Sequence, residues 1–468
     1  DKPLHVVSFM LALQSFSTTT LPPIAPTNGR AVSKTLHVDA LIQAIKTDFG
    51  KLTDHRAQNA KVALDDALIS AFAVFHLKDQ SLLAFDERRR REPENLHTVY
   101  GVTDIPCDSQ MRAILDEVDP AFLRPAFRTV FRRLQRSKKL ESMTLLGGHY
   151  LLSGDGTGFY SSTKVASPYC LKKTRRNGVE LYYQQMYAAA LVHPDCREVI
   201  TFFPEMITRQ DGSDKNDCER NAARRFFEAL RREHPHLKLI VTEDALSSNA
   251  PHIEDLQRLD LRFILGVKPG DHQFLFLLVD DAIAQRKVTE LQRVDANDPE
   301  KLHFYRFINQ VQLNHSRQDL LVNFLEYWQV DKNNKVTRFS WVTDLTITPE
   351  NVEEIMRAGR ARWKIENETF NTLKNQGYNL EHNYGLGKKH LSAVFAILMM
   401  LAFLVDQVQQ MSCHLFQAAL QELGSKRALW ERMRNYFCMF RVDSMETIFR
   451  VLVYGPGGYI VLDKDWLG

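Results

Sequence analysis

The stretch Tyr150-Leu151-Leu152-Ser153-Gly154-Asp155-Gly156-Thr157-Gly158 reads as an apolar strand that runs into a glycine-flanked acid. Small neighbours leave room for a bulky anion or a metal ion to approach that carboxylate and its backbone. Downstream, Tyr182 to Leu191 and Val199 to Phe203 have strand patterning and are joined by the turn-rich links Arg176-Asn177-Gly178 and His193-Pro194-Asp195. Together they are expected to form an antiparallel meander. A helix is expected from Asp217 to Arg232 with Phe226, Phe227 and Leu230 inward, and the short apolar run Leu237 to Val241 follows it. A buried strand directly after a helix is the pattern of a parallel crossover.

Three antiparallel strands, a helix and a parallel strand make a ribonuclease-H-like start, within the α/β class. Residues 262–345 then return to strand patterning at Phe263–Val267, Phe304–Val311, Phe324–Val330 and Thr337–Thr343, the last two joined by Asp331-Lys332-Asn333-Asn334. After Pro349 the chain reads as helical to about residue 450, and the Gly455-Pro456-Gly457-Gly458 end reads as a tail or short hairpin. A β-rich block thus interrupts an α/β core with a mixed sheet. At the other end, the prolines of Ser15–Pro26 suggest an arm, and residues 54 to 145 read as a separate small helical domain.

The chain has 468 residues, 44% hydrophobic and 25% charged, with 60 Lys and Arg against 57 Asp and Glu. These values exclude disordered, collagen-like and disulfide-scaffold classes, and a net charge of +3 indicates no partner by itself. The six cysteines lie far apart, without a C-x-x-C pair or zinc-ligand spacing, so a reduced cytoplasmic setting is expected. Leu391 to Val405 is an apolar run of about 15 residues, short of the ~20 that span a bilayer, and reads as a buried helix. Leu4–Leu13 lacks the basic flank and cleavage site of a signal peptide. No membrane association is expected.

Charge is patterned locally. In the helix ending residues 54–145, Phe127, Val130, Phe131 and Leu134 share one face while Arg124, Arg128, Arg132 and Arg136 recur every four residues on another. With Lys138, Lys139 and the earlier run Arg88–Arg91, such a ridge suits a phosphate backbone. A solvated helix face is the other reading.

Three acids carry the chemistry. Asp155 ends the first strand, and Asp244 follows the strand Leu237–Val241, where ligands gather in open α/β sheets; Glu243 beside it competes for that role. The third is Glu366, on the helix Arg360-Ala361-Arg362-Trp363-Lys364-Ile365-Glu366. At 100° per residue, Arg362, Glu366, Phe370 and Lys374 drift by only about 40° per step, so the acid and two cations are expected on one stripe. If the helix crosses the strand ends, three carboxylates meet, and such hard oxygen ligands favour Mg²⁺ or Mn²⁺. Two ions about 3.5–4 Å apart activate an attacking hydroxyl and stabilise the leaving oxygen in phosphodiester displacement.

At these residues the chain resembles the DDE transposases of bacterial insertion sequences of the IS-four type, over roughly residues 54–445. The resemblance implies a ribonuclease-H-like core with a β-strand insertion between the second Asp and the Glu. Here 122 positions separate Asp244 from Glu366. Asp155 in Asp-Gly-Thr, Asp244 and Glu366 match the family's catalytic and metal-binding triad. The family's Tyr-(2)-Arg-(3)-Glu-(6)-Lys signature is matched in part: Arg362 stands as required, the Tyr position is Gly359, and the Lys falls one step late at Lys374. Arg362, and less closely Lys374, is thereby implied to grip phosphates. Trp341 resembles an aromatic that holds a flipped base when the DNA end forms a hairpin, and Trp363 a second aromatic beside the Arg; strand packing is the other reading of Trp341.

The resemblance implies domains at 1–53 (arm), 54–145 (DNA binding through the Arg124–Arg136 ridge), 146–261 with 346–412 (catalytic core), 262–345 (β-rich insertion) and 413–468 (C-terminal helices and tail). It implies a cytoplasmic, nucleoid-associated prokaryotic transposase, homodimeric on double-stranded DNA. Such an endonuclease cuts at terminal inverted repeats and joins the freed ends to target DNA, with two Mg²⁺ or Mn²⁺ ions. The alternatives are a non-catalytic DNA-binding descendant and a metal-dependent nuclease without strand transfer.

Overall fold

The computed structural model describes residues 34–54, 56, 60–207, 218–295 and 298–455. The expected arm segment Ser15–Pro26, the run Leu4–Leu13 and the Gly-rich end beyond Gly455 lie outside them. The strands are β1 (Thr144–Leu145), β2 (His149–Ser162), β3 (Leu171–Thr174), β4 (Glu180–Val192), β5 (Ile200–Thr201) and β6 (Glu205–Ile207). There follow β7 (Leu239–Glu243), β8 (Arg262–Gly266), β9 (Thr289–Val294), β10 (Leu302–Asn314), β11 (Arg317–Val330) and β12 (Val336–Thr343). Among the described residues they form one 12-stranded sheet in the order β3-β4-β2-β7-β8-β12-β11-β10-β9, with β1 on β2 and both β5 and β6 on β4. The pairs β2–β7 and β7–β8 are parallel and the others antiparallel, so the protein is α/β with a mixed sheet.

Residue type explains why β7 is central. Leu239, Ile240 and Val241 are buried on both faces, as a strand covered by helices on either side requires. Two crossovers frame it: helix Glu219–Glu233, which buries Phe226, Phe227 and Leu230, and helix Ala250–Arg258, capped by the Asn249 side chain. The second crossover leads into β8, so the strands of residues 262–345 extend the central sheet edge-on through β8 and β12. Two elements here were not expected from sequence, the edge strand β9 and the helix Gln273–Ala284. In that helix only Leu275, Val279 and Ala282 are buried while Leu277 is 65% exposed, so its apolar run masks the helical period.

Residues 38–49, assigned to an arm from sequence, form a helix with Leu41, Ile42, Ile45 and Phe49 buried. Its Leu and Ile spacing gives it an apolar face, which packs on helix Arg124–Arg136. Helix Leu391–Ser412 is 22 residues long, well past the apolar run that marked it, and its most apolar window is 94% buried inside the fold. It extends because its polar residues find buried partners. Asp406 binds Lys78 (2.5 Å) and Tyr378 (2.6 Å), the Gln407 side-chain carbonyl accepts from the Val199 amide, and the Gln409 amide donates to the Leu36 carbonyl. Phe72 and Phe75 of the N-terminal helices, Leu398 of this helix and Ile240 of β7 belong to one continuous apolar core.

Candidate active site

The parallel register of β2 on β7 pairs Ser153 with Thr242, and two residues further along each strand stands an acid: Asp155 on β2 and Asp244 just past β7. Asp244 accepts a hydrogen bond from the Leu246 amide (3.0 Å), which turns the chain away and leaves the carboxylate at a cavity of 800 Å³. Glu366, Arg362, Trp363 and Trp341 line the same cavity. The Ser153 hydroxyl donates to the Arg362 carbonyl (3.0 Å) and so anchors the helical segment that carries Glu366 across the strand.

The electrostatics bind these groups together. Burial pushes the Asp155 carboxyl up to about 6; the Glu366 and Asp244 carboxylates add to the rise, and the Gly156 amide and Arg362 oppose it. The Arg362 guanidinium lies 2.9 Å from Glu366 and 3.9 Å from Asp155, a single cation between two acids.

That segment is an irregular helix. It runs as α-helix over Val352–Arg360, 3₁₀ over Ala361–Trp363, π over Ile365–Phe370 and α again over Asn371–Asn375. A π turn inserts extra residues per turn, and such turns recur at functional sites. The uniform stripe expected from sequence therefore breaks after Glu366. Arg362 and Glu366 meet, but Phe370 is buried in the core and Lys374 pairs instead with Glu381 (2.8 Å), away from the cavity. Trp363 is 48% exposed with Arg362 over its ring at 4.5 Å.

The glycines around Asp155 serve a purpose other than the one expected. They do not hold space open for a ligand: a Cβ at Gly154 would fall 1.8 Å from the Tyr187 hydroxyl, and one at Gly156 would fall 2.3 Å from a Glu219 carboxylate oxygen. Protein side chains occupy both positions. The Tyr187 hydroxyl donates to Glu243 (2.5 Å), whose other oxygen pairs with His252 Nε2 (2.6 Å). Glu243 also borders the cavity, but it is buried and tied on both oxygens, which leaves Asp244 as the better placed of the two for the role. Glu219, at the start of the crossover helix, turns its carboxylate back over Gly156. Burial and the charges of Asp155, Glu243 and Asp244 push it up to about 7. Sequence reading missed Glu219, Tyr187 and His252; only the tertiary fold joins them to Asp155.

Trp341 is 5% exposed, at the cavity wall, and stacks on Phe339 with centroids 5.9 Å apart. The arginine ridge is divided. Arg124 is drawn into the fold by Glu233 (3.1 Å), Glu205 (3.6 Å) and the ring of Phe203 (4.1 Å), whereas Arg132 and Arg136 are exposed; Arg128, half-buried, has no hydrogen-bond partner for its Nε. The run Arg88–Arg91 is largely internal in its pairing, Arg88 being buried on Asp79 and Arg89 and Arg90 held by Asp86.

No protein-family model and no curated protein matches the chain. Asp155, Asp244 and Glu366 are hard oxygen donors of the type that Mg²⁺ or Mn²⁺ takes, and the charges of Glu366 and Asp244 reach Asp155, with Arg362 standing between Asp155 and Glu366. As placed, no three such side chains among the described residues converge closely enough to hold one ion.

Proposed function

We propose that the chain is a DDE-type transposase that cuts DNA at the ends of an insertion sequence and joins those ends to target DNA. The observation that carries this reading is the proximity of Asp155, Asp244 and Glu366: Arg362 bridges Asp155 and Glu366, the charges of Glu366 and Asp244 act on Asp155, and Asp244, Glu366, Arg362 and Trp363 line one cavity. The strand order supports it: β2 pairs antiparallel with β4, and the crossover through Glu219–Glu233 sets β7 parallel to β2, as a ribonuclease-H-like core requires.

Asp155, Asp244 and Glu366 would hold two Mg²⁺ or Mn²⁺ ions, which supply an activated hydroxyl and stabilise the leaving oxygen. Arg362 changes partner: with its carboxylates engaged elsewhere, its planar fork binds the non-bridging oxygens of the scissile phosphate. Trp363 offers an exposed ring to a splayed base, a contact worth about 1–3 kcal/mol. Trp341 supports the cavity wall against Gly359 and Phe339. Arg132 and Arg136 give the N-terminal helices an outward cationic face for the terminal repeats, and a second copy of the chain would hold the other DNA end.

The deciding test is joining. The protein is incubated with a labelled duplex bearing the element's terminal repeat, a supercoiled target plasmid and Mg²⁺, and products are resolved on a denaturing gel. Label joined to plasmid supports transposition. Cleavage without joining indicates a nuclease, and end-binding without cleavage a non-catalytic DNA-binding descendant.

A further inference from the structure

The helical segment that carries Arg362 and Glu366 is a wall between two cavities. One face, with Gly359, Arg362, Trp363 and Glu366, borders the acid cavity already described. The other face, with Arg357, Arg360 and Lys364 at helical spacing, borders a second cavity of 570 Å³ whose far side is formed by β9, β10 and β11. Arg360 lines both cavities.

This second cavity is cationic. Arg293, Lys301, Arg357, Arg360 and Lys364 line it against two acids, Asp295 and Glu353. Arg293 is held by Glu353 (2.5 Å) and Lys301 by Asp295 (3.2 Å). The other three cations are not neutralised inside the cavity. Arg357 pairs with Asp195, an exposed acid, and such surface pairs exchange easily for a stronger anion. Lys364 donates to the Cys196 carbonyl. Arg360 pairs with no carboxylate among the described residues; its guanidinium lies over the rings of Phe339 (5.1 Å) and Tyr327 (5.9 Å), at the boundary of the two cavities.

We propose that the second cavity is a binding site for nucleic-acid phosphates, and that the strand engaged at the acid cavity continues over Arg360 onto Arg357 and Lys364. The inference rests on the reading of the chain as acting on DNA. Three cations without an internal counter-charge, in line on one helix face and contiguous with the acid cavity, match the repeating charge of a strand better than that of an isolated anion. Arg360 sits against the rings of Tyr327 and Phe339 at the junction of the two cavities, and a guanidinium can bind a phosphate through two of its N–H groups.

The test is binding of a fluorescent duplex in EDTA, so that catalysis plays no part, with the salt dependence of affinity measured by anisotropy. The triple variant Arg357→Gln, Arg360→Gln, Lys364→Gln is compared with wild type and with Lys332→Gln, Lys335→Gln, which removes two exposed lysines of the β11–β12 hairpin. The triple variant should bind roughly tenfold or more weakly, and its log–log salt slope should fall by about 2 to 3. The hairpin variant should keep the wild-type slope. The charge-preserving variant Arg357→Lys, Arg360→Lys, Lys364→Arg should keep most of the slope, and Arg360→Gln alone should lower it by about 1, so the proposal does not depend on one variant folding. Salt-dependent binding by wild type with an unchanged slope in Arg360→Gln and in the triple variant overturns the proposal and leaves the functional reading standing. Wild type that binds no duplex at all overturns both.

Discussion

The indole of Trp341 occupies the space that a side chain on Gly359 would need: a Cβ there would fall 2.6 Å from two atoms of the ring. The glycine is therefore a packing requirement of Trp341. Gly359→Ala should destabilise the fold by about 1–3 kcal/mol, the usual cost of overpacking. Combining it with Trp341→Ala should recover part of that loss. Urea denaturation of the four proteins in a double-mutant cycle measures the coupling; strictly additive effects would contradict the contact.

Lys78 is buried against Asp406 Oδ2 at 2.5 Å, the Tyr378 hydroxyl donates to the same oxygen, and the Trp430 ring is 3.8 Å from the ammonium. Burial pulls the lysine down to about 8, against the opposing pull of Asp406. Replacing Lys78 by Met strands a buried acid and should cost about 3–5 kcal/mol. The pair Lys78→Met, Asp406→Leu should be far less destabilised than Lys78→Met alone. A loss under ~1 kcal/mol in the single variant would show that Asp406 finds another partner.

His234 packs on Phe131 (4.7 Å) and Phe202 (5.5 Å), and burial, reinforced by Arg128 and Arg132, pushes it down to about 4. Its folded-state value lies below its unfolded value of about 6.5, so the unfolded chain binds the proton first. The stability it contributes is present above pH ~6.5 and is lost as the pH falls towards ~4, by at most about 3 kcal/mol. His234→Phe should flatten the thermal-stability profile across that window. An unaltered acid limb would assign the loss to other groups.

Much of the frame was legible in the chain. The strands around Asp155 and the crossover into β7 followed from apolar runs and turn residues, and the parallel register that aligns Asp155 with Asp244 follows from that crossover. Local irregularity was not legible. The π turn at Ile365–Phe370 breaks the 100° step, so Arg362 kept its contact with Glu366 while Lys374 moved to Glu381. The Gly-Asp-Gly motif showed that space was needed but not by whom; Tyr187 and Glu219 reach Gly154 and Gly156 from elements distant in sequence. Arg124 looked like its three neighbours on the ridge, and only the fold brings Glu233 and Glu205 to it.

If Asp155, Asp244 and Glu366 act as one metal-dependent phosphoryl-transfer centre, as proposed, cleavage of an end-labelled terminal-repeat duplex in Mg²⁺ or EDTA, by wild type and by Glu366→Gln, with end-binding of both measured in parallel, is decisive. Cuts at the element boundary should need Mg²⁺ and disappear in the variant, while binding is retained. Cleavage by Glu366→Gln at the wild-type rate, or by wild type in EDTA, would contradict the proposal.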